Sequence, residues 1–378
     1  MTLELVLLTG VSGYTGAHIL VRLLNEGYRV RGIVRSRKAE TLRKAYAKYG
    51  DNVDIVVVED LVKGDFTDAL KGVSAVIHAA TPVPGREELK DILKITREGA
   101  LNIVRQAVAA GVKHISFIGT IGALLDFTNP VIKAPLTDKD WNPLKEEVAL
   151  DLGSATLVYT VAKTQAEQAL WKFAEEHPEL NLTTGGSWVP PRLCARIVPD
   201  RGLVSPTNFI GPFAEDFIIT PGAASELSTA VMTYNFLAGP EKTLYTLPFG
   251  HVDVRDVAAA VVAAIKVKGN HRLLLTGEWF DWADAIDYIA TTRPEIAPRL
   301  VKIGPTSQNR PVIDSKEALD VLGITLTPWK KSIDDGLDAM LKLEKDWIEK
   351  GVDLTQLKNN EWVALGEGGA NTRVEFTD

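Results

Sequence analysis

The sequence predicts an α/β fold: a doubly wound parallel sheet carrying a small C-terminal lobe. Three observations carry that reading. Strand-like apolar runs alternate with helix-period segments from Leu3 to Ile118. A glycine-rich turn joins the first run to the first helix. After Pro212 the alternation gives way to successive helical segments. Alternation of this kind is the pattern of a parallel sheet with helices on both faces.

Leu3–Leu8 reads as the first, buried strand, with a turn at Thr9-Gly10. A helix follows from Gly13: Ile19, Leu20, Leu23 and Leu24 form an apolar stripe, and Gly27 ends it. Arg29–Val34 is the second strand. Asp54–Val58, Ala75–Ala79 and His114–Ile118 continue the series, with a helix over Glu87–Ala110 between the last two. A further helix carries Val161, Ala162, Ala166, Ala169 and Leu170 on one face, and Asn181–Thr184 starts a sixth strand. Helices are expected around Ser225–Leu237, Val254–Lys266, Trp282–Thr291, Ser315–Leu322 and Ser332–Glu349. These give a nucleotide-binding unit over 1–212 and a lobe over 213–350, with 251–266 returning to the core. The polar, Gly-rich stretch 351–378 reads as a loosely docked tail.

The glycines sit where phosphate chemistry needs them. Thr9-Gly10-Val11-Ser12-Gly13-Tyr14-Thr15-Gly16 lies at a strand-to-helix turn, the context that raises a glycine motif above chance. Gly10 permits the tight turn, Gly13 clears space for a pyrophosphate, and Gly16 lets the helix approach the sheet. The helix N-terminus then offers free N–H groups and partial positive charge. The second strand ends at Arg35-Ser36-Arg37-Lys38, where an NAD site wants an acid; the first acid is Glu40. Arginine can hold a 2′-phosphate in a bidentate way, so the run points to NADP(H) rather than NAD(H), with Arg35 foremost and Lys38 beside it. A solvated basic helix start is the alternative reading.

Tyr159 and Lys163 stand four apart on a predicted helix, which puts both side chains on one face. A nearby ammonium favours phenolate and should lower the tyrosine from its ordinary value near pH ~10. A tyrosine so tuned can give a proton to a substrate carbonyl. Thr120 follows the fifth strand at its C-terminal end, where ligands bind in open α/β sheets. Its hydroxyl can orient the carbonyl oxygen or cap a turn. These pieces together point to a nicotinamide-dependent oxidoreductase.

Composition narrows the partners. With 46% hydrophobic and 24% charged residues the chain is that of a soluble globular protein. A net charge of −7 argues against nucleic acid. One cysteine among 378 residues provides no disulfide framework and suits a reducing compartment. No apolar run reaches the ~18 residues of a membrane span. No metal-ligand cluster stands out, and no leader precedes the first strand. A cytoplasmic monomer or homodimer acting on a small carbonyl compound is the expectation.

The chain resembles the extended short-chain dehydrogenase/reductases of the NAD-dependent epimerase/dehydratase family. It is most similar to the branch of dihydroflavonol reductases, cinnamoyl-CoA reductases and fungal methylglyoxal/aldehyde reductases. The resemblance spans Leu3 to Trp347 and rests on Thr9–Gly16, Val34-Arg35, Asp60-Leu61, His78–Pro82, Thr120, Tyr159/Lys163, Ser205–Pro212 and His251–Ala258. It implies a Rossmann sheet and an NADPH-dependent reductase of an aldehyde or ketone. Tyr159 would be the acid, Lys163 would bind the nicotinamide ribose and tune Tyr159, and Thr120 would stand where serine is usual. Asp60 and Leu61 would border the adenine. Ala79, Ala80 and Thr81 would line the cofactor, with Pro206 and Thr207 near the nicotinamide. His78 and His251 read as packed residues outside the chemistry. A hydroxysteroid dehydrogenase, a sugar-nucleotide epimerase/dehydratase and a non-catalytic NADP(H)-binding protein remain as alternatives.

Departures accompany the resemblance. Gly119-Thr120 stands where two serines are usual. Ser154–Val158 lacks the aromatic signature of the cinnamoyl-CoA enzymes. After Thr184, the 19 residues Gly185–Leu203 hold three prolines and Cys194 and intervene before Val204-Ser205-Pro206. Prolines are poorly tolerated in a central strand. The segment is therefore expected to leave the sheet after Thr184, with Thr184 and Val204 close together. It reads either as a lid-like insertion, with Trp188 and Arg192 at the pocket, or as translated intron.

Overall fold

Seven parallel strands form the centre of the protein, seen in a computed structural model that describes residues 4–82, 87–125, 136–186, 208–238, 249–302, 313–355 and 357. Their order is β3-β2-β1-β4-β5-β6-β9. They are β1 (Leu5–Thr9), β2 (Arg29–Val34), β3 (Val53–Val57), β4 (Val73–His78), β5 (His114–Ile118), β6 (Asn181–Gly186) and β9 (His271–Leu274). The order reverses between β1 and β4, so a crevice opens at the carboxyl ends of those strands. All five residues of β1 are buried, as a strand covered on both faces requires.

Helices α1 (Tyr14–Asn25), α2 (Ser36–Tyr46), α3 (Leu89–Ala109), α4 (Glu146–Asp151) and α5 (Ala155–Glu176) follow in chain order. Then come α6 (Val231–Ala238), α7 (Val254–Ala264), α8 (Trp282–Thr292), α9 (Lys316–Leu322) and α10 (Trp329–Glu349). On one face Ile19, Leu20 and Leu23 of α1 meet Val257, Val261 and Val262 of α7 over Val6, Leu8 and Val30. On the other, Ile103, Val104 and Ala107 of α3 join Ala166, Leu170 and Ala174 of α5 over Leu7, Val76 and Ile115. A separate cluster holds Leu227, Val231, Tyr234, Trp282, Ile289, Leu337, Met340 and Trp347. It lies beside a three-stranded sheet of β10 (Trp279–Phe280), β8 (Phe249–Asp253) and β7 (Asn208–Ile210).

Two expectations need correction. Strand β6 does not stop at Thr184 but runs through Gly185 and Gly186. Gly185 pairs with Ile118 on one side and Leu273 on the other, and Gly186 pairs with Leu274. The unforeseen strand β9 supplies that second partner and carries the ladder two residues further. Residues 187–207, with Trp188, Arg192, Cys194, Val204, Pro206 and Thr207, lie outside the described residues, as do residues 358–378 of the tail. The helix expected over Ser225–Leu237 is broken: residues Ala224–Ala230 form a 3-10 segment in which Ser228 takes φ +54°, and α6 starts only at Val231.

Candidate active site

The switch-point crevice is a cleft of about 680 Å³. The first turn makes its floor. Gly10 has φ +74°, and a Cβ there would stand 2.9 Å from the backbone of Ala79 and Ala80, so only glycine permits this approach. A Cβ on Gly16 would lie 2.0 Å from the Gly10 carbonyl oxygen. Helix α1 therefore starts directly on the turn, with Gly13 as an N-cap that offers no side-chain bond. Its first N–H groups face the cleft with the positive end of the helix dipole. The residues thus fit a bound pyrophosphate: a Cβ-free cradle beneath an uncapped helix start.

The remaining sequence-predicted nucleotide residues take different positions. Thr15, Arg35, Lys38, Asp60, Leu61, Ala79, Ala80 and Thr81 all line the cleft. Tyr14 lines it too, but its ring does not serve it. The phenol is buried, donates to the Gly211 carbonyl at 2.9 Å and stacks edgewise on His18, Phe213 and Phe217. Burial beside Asp253 pushes it well above its ordinary value. Asp60 Oδ1 accepts from the Val62 and Lys63 N–H groups, shaping the loop after β3.

Three acids near the basic run were not foreseen. Arg35 pairs with Glu87 at 3.6 Å and Lys38 with Glu226 at 3.1 Å. The Ser36 N–H donates to Glu59 at 2.8 Å, which with the Arg35 charge holds that carboxyl below its usual range. Glu59 was readable as the residue before Asp60. Glu87 and Glu226 arrive from distant segments and left no local signal.

Helix α5 carries the proton-transfer pair; Tyr159, Lys163 and Thr120 are not among the residues that line this cleft, and Lys163 reaches its wall through Thr81. Lys163 is 2% exposed. Its Nζ donates to Thr81 Oγ1 at 3.1 Å and to the Ile118 carbonyl, and lies 4.2 Å from the Phe117 ring centre. Burial pushes this lysine down to about 7, and the Glu167 charge opposes that fall. Tyr159 is also buried, and burial holds its phenol well above its ordinary value. The expected lowering by Lys163 is absent, because desolvation outweighs a lysine that itself gives up its proton readily. Thr120 caps the 3-10 turn Ile121–Ala123, accepting from the Gly122 N–H at 3.1 Å. Its hydroxyl proton is free of that bond and can serve a second partner.

His78 stands apart from the chemistry. Thr9 Oγ1 lies 2.8 Å from His78 Nδ1 and accepts from the Ala80 N–H at 3.1 Å. Burial and Lys163 push the imidazole down to about 3, so it is neutral and hydrogen-bonded to the Thr9 hydroxyl through Nδ1. The pair ties β1 to the loop after β4. His251 Nδ1 bonds the Glu278 carbonyl at 2.7 Å and is likewise buried. Among the described residues no helix is long and apolar enough to cross a membrane, and no group of His, Cys, Asp or Glu could hold a metal ion.

Comparison with known proteins gives the context. The model of the "NAD dependent epimerase/dehydratase family" matches residues 6–186. A putative NADPH-dependent methylglyoxal reductase of Candida albicans is 28% identical over 360 residues, covering 89% of this chain and 98% of its own. Aldehyde reductase 2 of Sporidiobolus salmonicolor is 35% identical over 184 residues, 46% of this chain and 53% of its own. The yeast methylglyoxal/isovaleraldehyde reductase, solved with NADPH, superposes with a TM-score of 0.74 at 23% identity, covering 90% of this chain and 99% of that one.

Proposed function

We propose that this chain, whose residues 6–186 match the model of the NAD dependent epimerase/dehydratase family, is an NADPH-dependent oxidoreductase that reduces an aldehyde or ketone to the alcohol. The observation that carries the reading is the 3.1 Å bond from Lys163 Nζ to Thr81 Oγ1. It joins the helix that carries Tyr159 to the wall of the glycine cleft, which supports a proton donor working beside the nucleotide site. The relatives named for NADPH-dependent methylglyoxal and aldehyde reduction support the same chemistry.

In this reading the Gly10–Gly16 turn and the start of α1 hold the pyrophosphate, and Arg35 and Lys38 take the 2′-phosphate. Asp60 and Leu61 border the adenine, and Ala79, Ala80 and Thr81 form the wall. NADPH supplies a hydride when bound. Tyr159, kept neutral by burial at ordinary pH, gives its proton to the substrate oxygen. Thr120 donates a hydrogen bond that orients that oxygen. Lys163 holds the ribose end and places a positive charge beside the site. The test is a panel of small aldehydes and ketones followed by loss of NADPH absorbance. Turnover of at least one supports the reading, and none across the panel contradicts it.

Cofactor choice gives a separate prediction. NADPH should bind at least tenfold tighter than NADH, about 1.4 kcal/mol. Arg35→Asp should erase the difference, since it replaces a phosphate-binding fork with a repelling charge. Equal dissociation constants for both cofactors in the native chain would contradict it.

A further inference from the structure

Tyr159, Lys163, Glu167 and Trp171 follow one another at four-residue steps along α5 and so share a face. The first two belong to the site described above. Glu167 lies one turn further along the helix and is held by two side chains. Its Oε1 accepts from Arg272 Nε of β9 at 3.0 Å and from Thr184 Oγ1 of β6 at 2.6 Å. Arg272 Nη2 reaches Oε2 at 3.4 Å. Both side chains are about one-twentieth exposed, at 5% and 4%. Arg272 in turn donates to the carbonyls of Asp138 and Asp140 at 2.8 and 2.5 Å, and its guanidinium lies 3.5 Å from the Trp141 ring centre. Trp171 Nε1 donates to Thr184 at 3.2 Å and completes the frame.

A buried ion pair of this kind adds little net stability over an apolar pair of similar volume. Its position suggests what it does instead. Lys163 is surrounded by Phe117 and the Ile118 carbonyl of β5, by neutral His78 of β4 and Thr81 of the loop after it, and by Tyr159 and Glu167 of its own helix. Of those groups Glu167 alone carries negative charge. We propose that Glu167, locked in place by Arg272, is a positioning residue that keeps Lys163 cationic and aimed at the cleft wall. The proposal rests on the reductase reading for its consequence in catalysis, but not for its effect on Lys163 itself.

The signs of two variants follow and are opposite. Glu167→Gln removes the negative charge, so Lys163 loses its proton at lower pH. Arg272→Met leaves Glu167 un-neutralised, so Lys163 keeps its proton to higher pH. A merely structural frame would loosen in both variants and would not split them. The measurement is the pH titration of the lysine 13Cε resonance that vanishes in Lys163→Arg, in the full chain without cofactor. The alkaline limb of NADPH-dependent carbonyl reduction is recorded in parallel. We expect midpoints displaced by ~0.5 pH unit or more in opposite directions, with the activity limbs following. Should either single variant fail to fold, the paired Glu167→Gln/Arg272→Met protein removes both members of the ion pair and leaves neither as a lone buried charge. Its midpoint should fall below the native one, because Glu167, one turn away on the same helix, is the negative charge that acts on Lys163. Midpoints that stay put, or move the same way in both single variants, overturn the proposal. A native chain that oxidises NADPH with no carbonyl of the panel overturns the reductase reading instead, while the lysine titration still decides this one.

Discussion

Replacing Tyr159 by phenylalanine is expected to cut turnover by about 10²–10⁴-fold, the usual contribution of a positioned general acid. The ring stays, so the buried site loses one oxygen and little volume. NADPH affinity should therefore hold within a few-fold. Lys163→Ala should differ, lowering both affinity and turnover, because the ammonium faces the cleft wall through Thr81. Stopped-flow turnover and equilibrium cofactor binding on the same preparations separate the two. Retention of most of the turnover by Tyr159→Phe would remove this tyrosine from the acid's role.

Gly16→Ala should be the most damaging change in the nucleotide cleft. The added Cβ would sit 2.0 Å from the Gly10 oxygen and 2.7 Å from its carbonyl carbon, and neither atom belongs to a side chain that can swing away. Helix α1 must back off the turn. We expect a loss of about 1–3 kcal/mol in stability from the overpacking and a fall in NADPH affinity of ~100-fold, about 2.7 kcal/mol. Gly13→Ala is the control for mechanism. Its Cβ would meet only the Gly10 oxygen, at 3.3 Å, so the fold should hold while the pyrophosphate loses room. Native melting and native affinity in Gly16→Ala would show that the turn is not where the cofactor sits.

The N-terminal half was legible because its signals are local. Strands β2 and β5 were read with the bounds they have, since apolar runs between turn residues depend on nothing distant. The glycine turn and the Tyr159–Lys163 spacing were legible for the same reason, and Lys163 touches the wall of the glycine cleft through Thr81. Strand β9 was hidden: it opens His271-Arg272, and a buried arginine makes sense only once Glu167, 105 residues away, is known to face it. Its absence from the reading also ended β6 two residues early. The lobe strands are two to five residues long and too short for a period to show. The break at Ser228 is a left-handed turn at a residue that gives no warning of it. The acids that face Arg35 and Lys38 come from separate parts of the chain, so the basic run looked freer than it is.

The central claim is that this cleft delivers a hydride to a carbonyl carbon. The most direct measurement is a single turnover with NADPH deuterated at its transferable position, using the best carbonyl compound from the panel and mass spectrometry of the alcohol. We expect one deuterium on the carbinol carbon, much less product in the Gly16→Ala protein at the same NADPH concentration, and a strongly slowed transfer in Tyr159→Phe. An alcohol formed without deuterium, or NADPH left unoxidised beside every carbonyl tried, would contradict it.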